Sequence, residues 1–325
     1  MKKLIALSIA AACSSQAFAE TPETGFGGEV GLGMSYFSSD GNFNTANENQ
    51  LKSSDEKLGA EAEINPELIG ELNYTFGQEA NHQVFIGTNN EEVIQGDLTL
   101  ELGYRTEFAD ESSLEVSYLT SIVNEETWKD PYVLNAKREI TEISESGFAL
   151  EYANIAGSPF AVDALYYTSD VEDEQSGQTE VPGDINTLKR SGSGFEIGVA
   201  YEVGLTFDSV LVPRLTYGNY SADGKAFSNT SFGGELTYMK MVDNHGFGVQ
   251  AYYNSISFDD ANIAFDDVKR SDSEYGIAAL YEYEEFMGWE DVKFLGLAGY
   301  DTLTSNIKFY EETEYQIGAA LTYSF

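Results

Sequence analysis

Cysteine is almost absent. Cys13 is the single one in 325 residues, so the chain can form no internal disulfide. Basic residues are few: 17 Lys and Arg stand against 55 Asp and Glu, a formal charge of −38. That balance excludes nucleic acid as a partner, because binding to phosphate is driven by charge of the opposite sign. Long apolar runs are missing too. Beyond the first nineteen residues no stretch of about eighteen apolar residues occurs, which leaves no transmembrane helix. Aromatic residues are plentiful by contrast. The 21 Tyr and 20 Phe carry enough apolar surface to order a chain whose acidity alone would read as disorder.

Residues 1–19 have the three parts of a secretory signal. Lys2 and Lys3 open it, Leu4 to Ala12 are apolar, and Ala17-Phe18-Ala19 form a small-x-small cleavage site before Glu20. Cys13 also admits a lipoprotein reading, but three alanines precede it where an aliphatic residue usually opens that motif. The segment is therefore expected to be removed, taking Cys13 and both lysines with it and making the remainder two units more negative. Residues 20–325 are expected to form one domain.

The stretch Glu311 to Phe325 sets the pattern for that domain. Tyr315, Ile317, Ala319, Leu321, Tyr323 and Phe325 fall on one side at period two, and Glu314, Gln316, Gly318, Ala320, Thr322 and Ser324 on the other. Segments of about ten residues repeat this alternation upstream. GFGGEVGLGMSYF puts Phe26, Val30, Leu32, Met34 and Tyr36 on one face, and ELIGELNYTF does the same with Leu68, Leu72, Tyr74 and Phe76. Mean hydropathy stays polar because the two faces cancel within any window. Short turns and long acidic connections alternate between the segments, and none of the connections has the length of a crossover helix. Neighbours are then antiparallel. The count is fourteen strands, with seven long loops at one end and six short turns at the other. This predicts an all-β fold, a transmembrane antiparallel β-barrel, with short periplasmic turns and long acidic extracellular loops. Closure follows because an open sheet in lipid would leave backbone groups unsatisfied at its edges.

Period two also assigns faces. Tyr74, Tyr104, Tyr152, Tyr201, Tyr238, Tyr283 and Tyr323 recur near the end of each returning strand, and with Phe325 they predict an outward aromatic girdle at the short-turn rim. Glu29, Glu71, Glu101, Glu115, Glu151, Asp163, Glu196, Glu202, Glu235 and Glu282 fall inward, with Arg105 and Arg214 among them. So many acids in a dry core would cost several kcal/mol apiece. The lumen is expected to be wet.

The terminal aromatic inside an alternating strand resembles the closing strand of bacterial outer-membrane barrels, which implies the barrel-assembly machinery as a partner. Further stretches resemble a family of Gram-negative outer-membrane proteins labelled a domain of unknown function. These are GELNYTFG (Gly70 to Gly77), NHQVFIGT (Asn81 to Thr88), ETWKDPY (Glu126 to Tyr132), YEYEEFMGW (Tyr281 to Trp289) and SNIKFYEETEY (Ser305 to Tyr315). The resemblance spans nearly the whole chain after the signal and implies a single barrel in that compartment. It brings no functional residues with it. More loosely, the plan resembles fourteen-stranded monomeric channels for oligosaccharides or hydrophobic molecules, by fold analogy alone.

Catalysis finds little support. His82 and His245 are the two histidines, both placed in short turns far from the outer face. The acids of Val171 to Gln175 and Phe265 to Asp267 offer oxygen ligands for divalent ions bridging to lipopolysaccharide, though a charge run is usually a solvated face. Trp128, Lys129, Tyr132, Lys137 and Arg138 mark the loop Asn124 to Glu139 as a candidate constriction, with Lys137 or Arg138 facing an acidic wall. The alternative there is an exposed loop whose Trp and Tyr pack on the rim. Phe286, Met287 and Trp289 read as interface anchors. Together these features imply a monomeric passive channel for small hydrophilic solutes, cationic or neutral, that needs no cofactor. The competing expectation is a barrel plugged by its own loops with a surface, adhesion or envelope role. In that case Trp128 and Tyr132 should lie inside.

Overall fold

The computed structural model describes residues 24–47, 50–88 and 99–325. The expected signal with Cys13, and the long-side connection near Asn89, lie outside the described residues. The strands are β1 (Gly25–Asp40), β2 (Glu61–Phe76), β3 (His82–Thr88), β4 (Thr99–Glu107), β5 (Ser113–Ser121), β6 (Glu125–Trp128), β7 (Ile140–Ala153) and β8 (Phe160–Val171). They continue as β9 (Gly192–Tyr201), β10 (Val203–Thr206), β11 (Ser209–Ala222), β12 (Asn229–Val242), β13 (His245–Asn262), β14 (Val268–Tyr283), β15 (Val292–Ser305) and β16 (Glu312–Ser324).

Each pairs antiparallel with its neighbours in one sheet. Two of them are continuations rather than separate staves. Short β6 resumes the course of β5 and pairs with β7, while β10 continues β9 beyond Glu202. Fourteen staves therefore form the wall, as the alternation predicts. β1 against β16 closes it, from Glu29 opposite Ser324 to Asp40 opposite Thr313. Gly28 and Phe325 exchange both backbone hydrogen bonds at 3.0 Å, so pairing runs to Phe325. The seam is tight. A Cβ on Gly31 would lie 2.5 Å from Thr322 Cγ2 and 2.9 Å from the Leu321 carbonyl oxygen.

The burial pattern is inverted relative to a globular protein. Phe26 is 79% exposed and Leu215 71%, and apolar side chains stand outward along every stave while the charges turn in. Such a surface needs an apolar surrounding, which a bilayer supplies. At the short-turn end the outward face carries a run of aromatic rings. Phe26 packs on Tyr74, Tyr74 on Phe76, Phe76 on His82, and Tyr323 on Phe325, with Phe160 on Tyr201 and Phe286 on Tyr283. Tyr104, Tyr152 and Tyr238 share that outward face. A second ring, not foreseen, lies higher: Tyr118 on Phe148, Tyr217 between Phe195 and Phe232, and Tyr300 on Tyr315. From Tyr315 to Tyr323 the strand advances roughly 26 Å at about 3.3 Å per residue, or roughly 20 Å once a tilt of about 40° is allowed. That is close to the height of an outer-membrane apolar band.

The apolar core sits in the loops. Leu51, Leu58, Tyr132, Leu188, Phe227, Phe309 and Tyr310 come from different long-side connections and pack into one cluster. Asn42 ties it together. Its side chain donates to the carbonyls of Glu56 (2.7 Å) and Phe309 (3.1 Å) and accepts from the Leu58 N–H (3.1 Å). Its carbonyl accepts from Trp128 Nε1 (3.0 Å) and Arg138 Nη1 (2.6 Å). Asp130 accepts from the N–H groups of Tyr132, Gly177 and Thr179, tying its own loop to one more. The long connections are thus acidic on the outside and knitted within, a packed cap on the long-loop end.

Candidate lumenal site

The inward positions of ten staves bring the predicted charges together in the short-turn half of the lumen. Across the ladders Glu29 lies opposite Glu71, Arg105 opposite Glu115, Glu115 opposite Glu151, Glu151 opposite Asp163, and Arg214 opposite Glu235. Strict alternation does this, since every second residue of each stave must face in.

Three bases organise the acids. Arg105 on β4 bonds Glu71 of β2 at 2.8 Å, Glu115 of β5 at 2.5 Å and Gln83 of β3 at 3.1 Å. Arg214 on β11 bonds Asp163 of β8 at 2.6 Å and Glu196 of β9 at 3.0 Å, and stands 3.8 Å from Glu235 of β12. Lys293 on β15, which the sequence reading did not single out, lies 3.5 Å from Glu29. Lys293 pairs with Thr322, on the polar side of the closing strand, and that register would have placed it inward. Glu101 and Glu282 also face the lumen, and Glu151 is exposed there, held between neighbouring carboxylates. Glu202 lies at the short-turn rim between β9 and β10, where the register runs on unbroken from Ala200 opposite Arg214 to Val203 opposite Leu211, and its N–H bonds the Pro159 carbonyl at 2.9 Å.

The bases differ in how far they meet the open lumen. The Arg105 side chain is 39% exposed and Lys293 33%, against 10% for Arg214. Arg105 lies over the Phe85 ring, its guanidinium carbon 3.8 Å from the centroid. Phe85 in turn lies on Gly103, its cross-strand partner, where a Cβ would meet the ring at 2.2 Å. The same joint recurs with Tyr167 on Gly194 and Tyr252 on Gly276. In each, the missing side chain lets a large inward ring lie against the wall.

The candidate constriction loop is part of the cap. Trp128 is 1% and Tyr132 5% exposed, and the Tyr132 hydroxyl is 2.8 Å from that of Tyr310. Burial and the neighbouring Tyr310 raise the Tyr132 pKa well above the ordinary phenol range. Arg138 lies over the Trp128 ring at 4.0 Å, and burial lowers its guanidinium to about 10. Lys137 instead points out to solvent, so the expectation that it meets the acidic wall is corrected. Lys129 bridges Asp173 at 2.7 Å and Glu139 at 3.5 Å on the outside of the cap.

Two of the acids at Val171–Gln175 are engaged in ion pairs. Asp173 is taken by Lys129, and Glu174 by the fully buried Arg190 at 3.1 Å. Among the described residues, no group of three metal-ligating side chains comes together. The histidines open β3 and β13 rather than lying in turns, and both join the girdle. His82 Nδ1 is 2.8 Å from the Tyr104 hydroxyl, and His245 Nδ1 is 2.8 Å from that of Tyr281.

The sequence pattern of one family, described as a protein of unknown function (DUF2860), matches residues 25–324. Among curated proteins none matches. The fold is similar to that of the CymD monoaromatic hydrocarbon channel, at 8% identity and a TM-score of 0.45 over 94% of this chain and 89% of that one. It is also similar to a Pseudomonas aeruginosa FadL homologue, at 9% identity and 0.43 over 92% and 90%. Acinetobacter baumannii OccAB4 aligns at 10% identity and 0.38 over 94% and 100%.

Proposed function

The chain belongs to the DUF2860 family of proteins of unknown function, and on the strength of its charged lumen we propose that it is a passive outer-membrane channel for small hydrophilic solutes, cations and neutral molecules before anions. One observation carries this reading. Inside a closed barrel, Glu29 and Glu71 keep 27% of their side-chain surface open, Lys293 33% and Arg105 39%. A dry interior would cost several kcal/mol for each such charge, so the arrangement supports a water-filled bore. The excess of inward carboxylates supports a preference for cations, because a wall of one sign concentrates the opposite ion. The signal-like first nineteen residues, the outward apolar band and the aromatic belts support residence in the outer membrane of a Gram-negative bacterium, short turns toward the periplasm. The alternating stretch ending on Phe325 supports delivery by the barrel-assembly machinery. The protein then works as a monomer among lipid and lipopolysaccharide.

A second reading is favoured by the cap. Burial of Trp128 and Tyr132 among the loops supports a non-conducting barrel with a surface, adhesion or envelope-integrity role. Single-channel recording in planar bilayers, with the reversal potential under a salt gradient, separates the two. The wild type is compared with a cap-loosened Trp128→Ala/Tyr132→Ala variant. Stable cation-preferring openings, longer-lived in the variant, are expected of a channel. Inserted, heat-modifiable barrels that never conduct in either form would leave the second reading alone.

A further inference from the structure

We infer that Arg105 is the selectivity-determining charge of the lumen and that Gly103 is its positioning residue, acting through the ring of Phe85. The inference rests on the channel reading above. Three layers build the feature from the wall inward. Gly103 of β4 has no side chain where its partner Phe85 of β3 crosses it, and the ring occupies that space. Arg105, two residues along β4 and on the same face, covers the ring at 3.8 Å. Its guanidinium then reaches carboxylates on both sides, Glu71 and Glu115, and Gln83 besides.

A guanidinium over an aromatic face is attracted to it. The bonds to Glu71 and Glu115 fix its direction, and 39% of the side chain still meets the lumen. Arg214 shows the contrasting arrangement. It is closed in by three carboxylates with 10% exposure, which suits a clamp between staves and leaves little surface for a passing solute. Arg105 therefore offsets the acidic wall at the place where solute can approach it. Exposed Glu151 and inward Glu101 stand nearby as attracting charges.

Gly103 sets the reach of that charge. A methyl group there would lie 2.2 and 2.4 Å from ring atoms of Phe85, and the ring, the far end of a side chain, is what can give. It would have to lift by roughly 1 Å to restore ordinary contact. Arg105 would rise with it, out of its carboxylate cradle and further into the bore. One methyl group thus alters bore and field with no change in formal charge.

The first test is the reversal potential and conductance of Arg105→Ala and Gly103→Ala. Gly204→Ala serves as the control, since a Cβ there has open space. Arg105→Ala is expected to raise the cation-to-anion permeability ratio by about twofold or more. Gly103→Ala should lower the ratio and cut conductance by roughly a third. The control should match the wild type.

A second measurement stands apart from conduction. The chain has five arginines, and Arg138, Arg190, Arg214 and Arg270 are 1%, 0%, 9% and 5% exposed. Phenylglyoxal, which modifies guanidinium groups, should label Arg105 on the intact barrel at least about tenfold faster than the others, and faster still in Gly103→Ala. Mass spectrometry of the digested protein reads the sites. Equal labelling of Arg105 and Arg214, or a Gly103→Ala barrel unchanged in labelling and reversal potential, overturns the inference. If no barrel conducts, the channel reading fails. The labelling then decides the Gly103–Phe85–Arg105 stack alone, with its role in selectivity gone.

Discussion

Replacing Arg214 with Ala removes one guanidinium from among three carboxylates on three different staves. Breaking a buried ion pair by deleting one partner costs about 3–5 kcal/mol, most of it from the charge left behind. Asp163 and Glu196 keep 30% and 31% of their side-chain surface, so water offsets part of the loss, while Glu235 keeps 9%. The expected cost is therefore near the bottom of the range, about 3 kcal/mol. Arg105→Ala removes a base that is 39% exposed, where ion pairs contribute about 1 kcal/mol or less. Removing Asp163 as well, in Arg214→Ala/Asp163→Asn, should recover roughly 1 kcal/mol by taking away one of those carboxylate charges. Urea unfolding of the barrel in lipid vesicles, followed by far-ultraviolet circular dichroism and by the folded band on unheated gels, gives the three values. An Arg214→Ala cost below about 1 kcal/mol, or one equal to that of Arg105→Ala, would refute the division between buried clamp and exposed charge.

Asn42→Ala deletes three side-chain hydrogen bonds in the cap, at about 1 kcal/mol each. In a Trp289→Phe background, where Trp128 is the sole tryptophan, its fluorescence should shift to the red as the cap loosens. Gly31→Val should prevent proper closure, because its Cβ meets the Leu321 carbonyl oxygen at 2.9 Å; Gly204→Val, with open space, should not. Loss of the heat-modifiable form in the first alone checks this. The hydrogen bond from Lys129, with one from Gln175, holds the Asp173 carboxyl below the usual range. A depressed folded pKa stabilises fully above the unfolded value near 4 and is lost as pH falls through the folded one. Acidification below about pH 4 should therefore loosen the cap, and Asp173→Asn should blunt that step, read from Trp128 fluorescence.

The wall was legible in the sequence and the cap was not, for a physical reason. Alternation is local: Leu321 and Tyr323 declare their face through neighbours two residues away, so staves, lumen acids and girdle tyrosines all follow. The cap is built by contacts without local period. Asn42 bonds Phe309 across 267 residues, and Tyr132 meets Tyr310 across 178. Each loop shows a few scattered apolar residues in an acidic stretch, and nothing in one loop names its partner in another. Arg105 and Arg214 were equally visible as inward bases. Their difference in exposure depends on whether a glycine and a ring lie beneath, or three carboxylates enclose the group.

The ladder between β1 and β16 also dictates an order of events during assembly. Ser324 bonds Glu29 across 295 residues, whereas the other ladders join strands that follow one another in the chain. Those ladders can form as each new segment arrives. This one must wait, and until it forms the growing sheet exposes two raw margins that any passing strand could join. A chain cut short before β16 would hold those margins open permanently and become a nucleus for aggregation. The small residues along the seam, Gly31 among them, thus act latest of all, admitting the final strand when everything else is already in place.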